Sequence, residues 1–403
     1  MSDSTSSTTQ RIPDFELADA AFILTKPELS ERHPQAREYL VEQIKSKKLA
    51  PFYQYLRETC AGALEWDESL YAELSKENEA EISKLKDAIK EVEEKDEGQL
   101  ETAEGYKKLG EYYATIGDKT NALLTLRKAF ELTPSTGVKI DISLTITRVG
   151  FFFNDKQFVA KQLDQTNSLI EKGGDWERRN RYKLYKGLYS LSIRDFETAS
   201  ALLIDSLATF TSTEITTYEQ LGQYATIAGV LILNRVDLKS KVIDSPELLS
   251  LLPVTPSLEP ITSLTISLYT SDYSSYFQYL LQTNDQILLT SRYLSEHANY
   301  YIREMRRKAY AQLLESYKAL SLKSMADAFG VSVEFLDNDL CKFIPNKKLN
   351  CVIDRVNGII ETNRPDNKNA QYQLLIKQGD ALLTKLQKYG AAVRLSGTSE
   401  RAN

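Results

Sequence analysis

The chain has 403 residues, a formal net charge of −6 at pH 7 and three cysteines, and its sequence pI is about 5.4. This mildly acidic balance argues against a general affinity for nucleic acids or anionic membranes, and the spacing of Cys60, Cys341 and Cys351 matches no metal or redox motif. No apolar run approaches the length of a membrane-spanning helix and the N-terminus lacks a signal-peptide pattern, so we expect a soluble intracellular protein without membrane partners, whose core is divided among several units.

The N-terminal region is predicted to be a disordered tail followed by helices. Residues 1–12 begin with a Ser/Thr-rich stretch that has nothing to bury. Residues 13–98 show short amphipathic patterns punctuated by proline, and they end in one long charged helix from Lys76 to Glu97. Apolar residues repeat in this helix at steps of three and four, namely Ile82, Leu85, Ile89 and Val92. Its charges indicate a solvated face, with an acidic docking surface as the alternative.

Residues 99–235 repeat a pattern with a period a little under forty residues. A glycine beside aromatic residues is followed by an aspartate and then an alanine in three copies: Gly110, Asp118 and Ala122; Gly150, Asp155 and Ala160; Gly187, Asp195 and Ala199. Small residues at such positions allow paired helices to approach closely, and the period is typical of helix-pair repeats. We therefore predict a right-handed, TPR-like helical-repeat solenoid, an architecture that binds proteins along extended surfaces.

The next predicted domain spans residues 236–363 and ends in a winged helix at residues 303–363. Helical patterns cover Arg303–Tyr317, Leu322–Phe329 and Val333–Phe343, and Gly330 and Ser332 are suited to the turn and the N-cap between the last two. Two β-type runs follow, Cys351–Asp354 and Ile359–Thr362, separated by Asn357-Gly358, a dipeptide favoured in hairpins. Three helices closed by a hairpin are typical of a winged-helix module, so the fold class is mainly α.

A winged helix raises the alternative of nucleic-acid binding. The helix that would enter the groove carries more acidic than basic residues: Glu334, Asp337 and Asp339 against Lys342. The wing adds only three cations: Lys347, Lys348 and Arg355. Since affinity for a phosphate backbone comes from Lys and Arg, we favour a protein-interaction module and predict no nucleic-acid partner.

The last predicted element is a helix over residues 366–396, followed by a disordered tail at residues 397–403. Its apolar positions step by four and three, as in a coiled coil: Tyr372, Ile376, Gly379, Leu383, Leu386, Gly390 and Val393. An amphipathic helix beyond a closed domain is marginal in water and needs a surface to cover its apolar face. The sequence allows two such surfaces, a partner protein or the helix's own domain.

No pattern in the chain indicates catalysis or a bound cofactor. The only histidines, His33 and His297, have no Cys or His at ligand spacing, and no Gly-rich phosphate loop precedes a Lys-Ser or Lys-Thr pair. Gly173-Gly174-Asp175 reads as a helix stop and the next N-cap. We therefore predict a protein that is not an enzyme, with no catalytic residue, no cofactor and no metal site.

Four runs of sequence carry a family resemblance: Gly173–Arg181, Thr209–Ser212, Arg303–Arg307 and Asn363–Asn367. With the helical repeats and the winged helix, they resemble the PCI-domain subunits of the 26S proteasome regulatory-particle lid, and among these the family of non-ATPase subunit seven. The resemblance spans about residues 12–393. A PCI subunit of the COP9 signalosome or of a translation-initiation factor is the alternative within the same class.

The resemblance implies a non-catalytic scaffold that supports assembly of the lid and ubiquitin-dependent protein degradation, in the cytoplasm and the nucleus. Its implied partners are other PCI-domain lid subunits and a shared bundle of C-terminal helices. Contact of the N-terminal region with the proteasomal ATPase ring is a further hypothesis. The proteolytic, ATPase and deubiquitinase activities of that particle would belong to other chains.

Three sets of residues are candidates for partner contacts. The first is the C-terminal seam, which we define as Ile376, Leu383, Leu386 and Val393. The second is a candidate edge strand for strand addition, Ile359, Ile360, Glu361 and Thr362, with the segment before Cys351 as its alternative. The third is the cluster Arg178, Arg179 and Arg181, whose guanidinium groups are suited to salt bridges. The sequence leaves open whether those bridges join helix pairs of this chain or reach a neighbouring subunit.

Overall fold

The computed structural model describes residues 11–60, 62, 64, 66–94, 98–363 and 367–399. Most of the two predicted disordered tails (residues 1–10 and 400–403), the end of the predicted charged helix (residues 95–97) and residues 364–366, before and at the predicted start of the C-terminal helix, lie outside these residues. The chain divides into two compact units, one before and one after the boundary between Arg306 and Arg307.

The described residues of the first unit form helices and loops and no strand. Its α-helices in chain order are α1 Phe15–Thr25, α2 His33–Lys47, α3 Ala50–Thr59, α4 Glu68–Glu94, α5 Gln99–Ile116, α6 Lys119–Leu132, α7 Thr136–Phe152, α8 Lys156–Gly173, α9 Trp176–Ser192, α10 Phe196–Leu207, α11 Tyr218–Ile232, α12 Arg235–Leu238, α13 Pro246–Leu251, α14 Glu259–Thr270, α15 Tyr273–Thr283 and α16 Ala298–Ser316, which contains the unit boundary. Short 3₁₀ and π turns cover Pro27–Arg32, Lys239–Ile243, Pro256–Leu258, Asn284–Leu288 and Ser295–His297. Three of the N-terminal prolines, Pro27, Pro34 and Pro51, stand in the first turns of helices, where a missing N–H is tolerated.

One turn recurs between the helices of successive pairs. A residue with positive φ ends the first helix, at Gly117, Asn154 and Arg194. The next residue is the N-cap aspartate of the second helix, whose carboxylate accepts a backbone N–H, as Asp118 does from Asn121 at 3.1 Å. The turn returns at Ser271-Asp272, where Ser271 has a φ of 63°. The helix-pair pattern therefore continues past residue 235, where the sequence placed the end of the solenoid.

Glycine permits the close approach of the paired helices, as the sequence pattern predicted. A Cβ on Gly110 would lie 2.7 Å from Cγ of Leu126, and one on Gly187 would lie 2.6 Å from Cδ2 of Leu203. These contacts join α5 to α6 and α9 to α10. Ile12, which the sequence assigned to the disordered tail, packs half-buried against the core of α4–α7, because its apolar side chain has that core within reach.

The second unit contains a winged helix. After the end of α16 come β1 Ala319–Ser321, α17 Leu322–Phe329, α18 Val333–Phe343, β2 Cys351–Asp354, β3 Ile359–Thr362 and α19 Asn367–Ser399. Gly330 ends α17 with a φ of 66°, and the Ser332 hydroxyl caps α18 by accepting the Phe335 N–H at 3.2 Å. Tyr310 packs edge-on against Phe329, with 4.9 Å between ring centroids. The bounds of α17, α18, β2 and β3 match the predicted ones, whereas α16 begins five residues before the predicted Arg303.

The sheet corrects one prediction. Its three strands are antiparallel in the order β1-β3-β2, so β3 is the central strand. Ile360 of β3 faces Leu320 on one side and Ile353 on the other, and it is fully buried. The prediction that Ile359, Ile360, Glu361 and Thr362 form an edge strand is therefore wrong. The three-residue strand β1, which the sequence analysis missed, covers that edge, and Asn363 N–H reaches the Asn350 carbonyl on the other.

Across the described residues, none of the helices is both long enough and apolar enough to cross a membrane. Within the same residues, no group of three His, Cys, Asp or Glu side chains is placed to hold a metal ion. The two histidines contact backbone carbonyls instead: His33 Nε2 lies 2.9 Å from the Lys26 oxygen and His297 Nε2 lies 3.0 Å from the Ser192 oxygen.

Candidate interaction surfaces

The C-terminal helix α19 exposes its apolar face. Every one of its side chains whose burial is described, between Lys368 and Arg394, is exposed to solvent. The four residues of the C-terminal seam are 56% to 63% exposed, although their spacing places them on one side of the helix. A second apolar set lies beside the seam and is equally exposed: Leu375, Leu382 and Tyr389. The seam is thus not covered by the winged-helix unit.

The free edges of the sheet belong to β1 and β2. Each of these strands pairs with β3 on one side, so its other backbone edge has no strand partner in the described sheet. Val352 of β2 is 54% exposed and Val356, at the tip of the hairpin, is 94% exposed. Backbone N–H and C=O groups beside exposed valines are suited to strand addition, and β2 lies directly after the segment that the sequence named as the alternative edge.

Two of the three arginines in the cluster form ion pairs inside the first unit. The Arg178 guanidinium lies 2.7 Å from the Asp141 carboxylate of α7 and 2.5 Å from Asp175. The Arg181 guanidinium bridges Asp141 at 3.2 Å and Glu214, in the loop before α11, at 2.6 Å. These bonds connect α7, α9 and the 208–217 loop. Arg179 is exposed and donates its Nε–H to the Gly174 carbonyl at 3.0 Å.

Burial and the charges of its partners have opposite effects on the pKa of Arg181. Burial alone would lower the pKa of the Arg181 guanidinium, but the Glu214 carboxylate and Asp141 outweigh burial and raise it. Glu214 is only 3% exposed and also accepts the Tyr185 hydroxyl at 3.1 Å. Burial, with the nearby Glu214 charge, raises the pKa of that hydroxyl. Arg181 and Glu214 thus form a hydrogen-bonded ion pair that is largely shielded from water. Removing either side chain would leave the charge of the other without its partner.

The outer surface of α18 differs from the predicted acidic face. Glu334 is exposed and Asp337 pairs with Arg355 at 2.8 Å, but Asp339 is buried and accepts the Tyr310 hydroxyl at 3.3 Å. The prediction that Asp339 adds surface charge is therefore wrong, because its position on the helix turns it toward the Tyr310 hydroxyl. Val333 and Phe335 are more than 40% exposed beside Glu334. A face with apolar and acidic side chains is suited to protein rather than to phosphate.

Several buried charges and one strand were not predicted from the sequence. Arg292 lies in the segment before α16, and its side chain is 5% exposed. A single arginine gives no signal of burial in the sequence, since Arg is normally exposed. Strand β1 is three residues long, too short to show an alternating pattern.

Helical repeats, a winged helix and a terminal helix together define a PCI-domain protein. Family models agree: 26S proteasome subunit RPN7 matches residues 67–241, the PCI domain matches residues 281–364, and the 26S proteasome regulatory subunit RPN7/PSMD6 C-terminal helix matches residues 371–393.

Whole-chain relatives point the same way. The chain is 58% identical to the 26S proteasome regulatory subunit RPN7 of Saccharomyces cerevisiae, over 97% of this chain and 96% of the relative. It is 44% identical to RPN7 of Schizosaccharomyces pombe, over 95% and 96% of the two chains. Identity to the 26S proteasome non-ATPase regulatory subunit 6 of Dictyostelium discoideum is 40%, over 96% and 99%. The chain belongs to the RPN7 family of 26S proteasome regulatory subunits.

Family membership confirms the predicted resemblance, and with it the mainly helical PCI fold. It confirms a non-ATPase, non-catalytic lid subunit of the regulatory particle over the signalosome and initiation-factor alternatives.

Proposed function

We propose that this chain is a scaffold that enters the lid by inserting its C-terminal seam into a bundle of helices from neighbouring PCI-domain subunits. The observation that carries the proposal is the exposure of an ordered apolar helix. Leu383 and Leu386 are 57% and 61% exposed on α19, which contains the family's own C-terminal helix segment. A long helix with an uncovered coiled-coil seam is suited to a helical partner.

Strand addition is the second proposed contact. The free edges of β1 and β2 leave backbone groups open to pair with the winged-helix sheet of an adjacent PCI subunit. Such a contact orders the neighbours, because main-chain hydrogen bonds fix direction and register. The seam would then hold the assembled ring of subunits together at a separate point.

Two further parts of the function are proposed on family membership, and a third on the ion pairs of the first unit. We assign the chain to ubiquitin-dependent protein degradation, in the cytoplasm and the nucleus. We expect the N-terminal helices to contact the proteasomal ATPase ring. The ion pairs of Arg178 and Arg181 support a fixed stacking of helix pairs within the subunit, which leaves Arg179, exposed at the same edge, to reach a neighbour.

A pair of matched variants tests the seam. Leu383→Asp/Leu386→Asp places two charges in the seam, and Ala381→Asp/Thr384→Asp places two charges at the same spacing on the opposite side of α19. Burying each leucine is worth about 1.5–3 kcal/mol, so loss of both should weaken incorporation by about 100-fold or more. The measurement is incorporation into the regulatory particle on native gels.

The melting temperature of the free chain is the second measurement. Because Leu383 and Leu386 are already exposed, the seam variant and its control should melt within about 1 °C of the unmodified chain. Equal incorporation of the two variants would refute the proposal. A drop of several degrees confined to the seam variant would instead show that α19 docks on its own chain.

A further inference from the structure

A cavity of about 260 Å³ lies between α1, α3, the end of α7 and the segment before α16. Its lining is largely apolar and aromatic and includes Phe22, Tyr55 and Phe152. Three charged side chains also line it: Lys26, Arg292 and Glu296. The helical repeats and the C-terminal seam do not explain why an apolar cavity in the first unit is also lined by charged side chains.

The Arg292 guanidinium is buried with its hydrogen bonds incomplete. Nη2 donates to the Tyr293 hydroxyl at 3.0 Å, and Nη1 donates to the Phe152 carbonyl at 3.4 Å, close to the limit for such a bond. Nε makes no hydrogen bond to any described residue. The nearest carboxylate, Asp19, is 3.7 Å from Nε, beyond hydrogen-bond distance. A buried N–H donor without an acceptor is rare and unfavourable. The Nε–H of Arg292 can therefore donate a hydrogen bond to an acceptor on a bound ligand.

The charges around the cavity leave an excess of positive charge. Glu296 is neutralised by Lys156, whose Nζ lies 2.5 Å from its carboxylate. Lys26 forms no ion pair with a described residue, and its Nζ lies 5.5 Å above the ring of Phe22. Asp19 forms an ion pair with Arg292 at 3.7 Å, and burial raises the pKa of its carboxyl. Together these groups carry three positive charges and two negative ones.

We propose that this cavity binds a carboxylate attached to an apolar group. The carboxylate would accept from Arg292, with Lys26 at the rim, and the aromatic lining would hold the apolar part. This chemistry is shared by the C-terminal residue of a polypeptide and by a free aromatic acid. The site is independent of the seam, so the failure of either proposal leaves the other standing.

Binding of small probes to the full chain tests the site. The probes are N-acetyl-L-phenylalanine, which represents a peptide end, 3-phenylpropionate, which represents a free acid, and N-acetyl-L-phenylalaninamide, which has no charge. We expect millimolar dissociation constants for the acids, as their size allows, and binding of the amide weaker by at least about 10-fold. Tighter binding of the acetylated amino acid would identify a peptide end as the ligand, and tighter binding of phenylpropionate a free acid.

Variants of the lining give changes of opposite sign. Lys26→Glu should weaken binding by about 3-fold or more, while Lys90→Glu, the same charge change on the exposed face of α4, should not change it. Glu296→Gln removes a negative charge from the lining and should tighten binding by about 2-fold. Arg292→Gln should abolish binding.

Three results would overturn the site. They are the absence of binding by both acids, equal binding of the acid and its amide, and identical affinities for Lys26→Glu and Lys90→Glu. If Arg292→Gln unfolds the chain, the opposite effects expected of Lys26→Glu and Glu296→Gln still decide the question.

Discussion

The pair formed by Arg181 and Glu214 predicts a specific pattern of stability changes. Arg181→Met would leave the Glu214 carboxylate, 3% exposed, with only the Tyr185 hydroxyl as a donor. Removing one partner of a buried ion pair typically costs 3–5 kcal/mol, and because Arg181 is 18% exposed we expect the lower end, about 3 kcal/mol. For a chain of this size that corresponds to a fall in melting temperature of about 4 °C.

Two companion variants separate the ion pair from the substitution itself. Arg179→Met makes the same chemical change on an exposed side chain two residues away and should shift stability by less than about 0.5 kcal/mol. Arg181→Met/Glu214→Leu removes both charges and should be more stable than Arg181→Met alone, since no unpaired charge remains buried.

Thermal unfolding by circular dichroism supplies the test, on the unmodified chain, the three variants above and the single variant Glu214→Leu. If Arg181→Met melts like Arg179→Met, the ion pair does not stabilise the stacking of helix pairs. If the double variant loses as much stability as Arg181→Met and Glu214→Leu lose together, Arg181 and Glu214 do not act as a coupled pair.

Three more predictions follow from packing, the sheet edge and charge. Gly187→Ala should destabilise the chain by about 1–3 kcal/mol because its Cβ would overlap Leu203, whereas Gly173→Ala, which meets no atom within 4 Å, should not; equal melting of the two would refute the close approach. In a proline scan of Ala319–Ser321 and Cys351–Asp354, variants that keep the melting temperature should lose assembly with adjacent PCI subunits, and full assembly across the scan would exclude strand addition. No sequence-selective duplex should bind at physiological salt in fluorescence anisotropy, and a nanomolar complex weakened by Lys342→Ala would contradict this.

Local signals in the sequence predicted much of the fold. The N-caps, the αL glycine Gly330 and the Asn357-Gly358 turn act within a few residues, so they fixed α17, α18 and the hairpin closely. The recurring Gly and Asp positions likewise reflect contacts and caps inside one helix pair. Such features need no knowledge of distant residues.

Features that depend on contacts between residues far apart in the sequence could not be predicted from local patterns. Strand β1 exists because Leu320 pairs with Ile360, forty residues later, and its pairing makes β3 central rather than an edge. Asp339 is buried because Tyr310, on another helix, reaches its carboxylate. The carboxylate partners of Arg178 and Arg181 lie on α7 and in the loop before α11, so the sequence could name the arginines but could not choose between partners within and outside the chain.

The central claim is that the C-terminal seam is covered when the subunit assembles, and hydrogen–deuterium exchange tests it most directly. Exchange would be measured over residues 371–393 in the free chain and in the assembled regulatory particle, with the buried helix α7 as the internal reference. Burial of several seam residues should slow exchange across this helix by about 100-fold or more while α7 stays unchanged. Equal exchange of residues 371–393 in the two states would contradict the account.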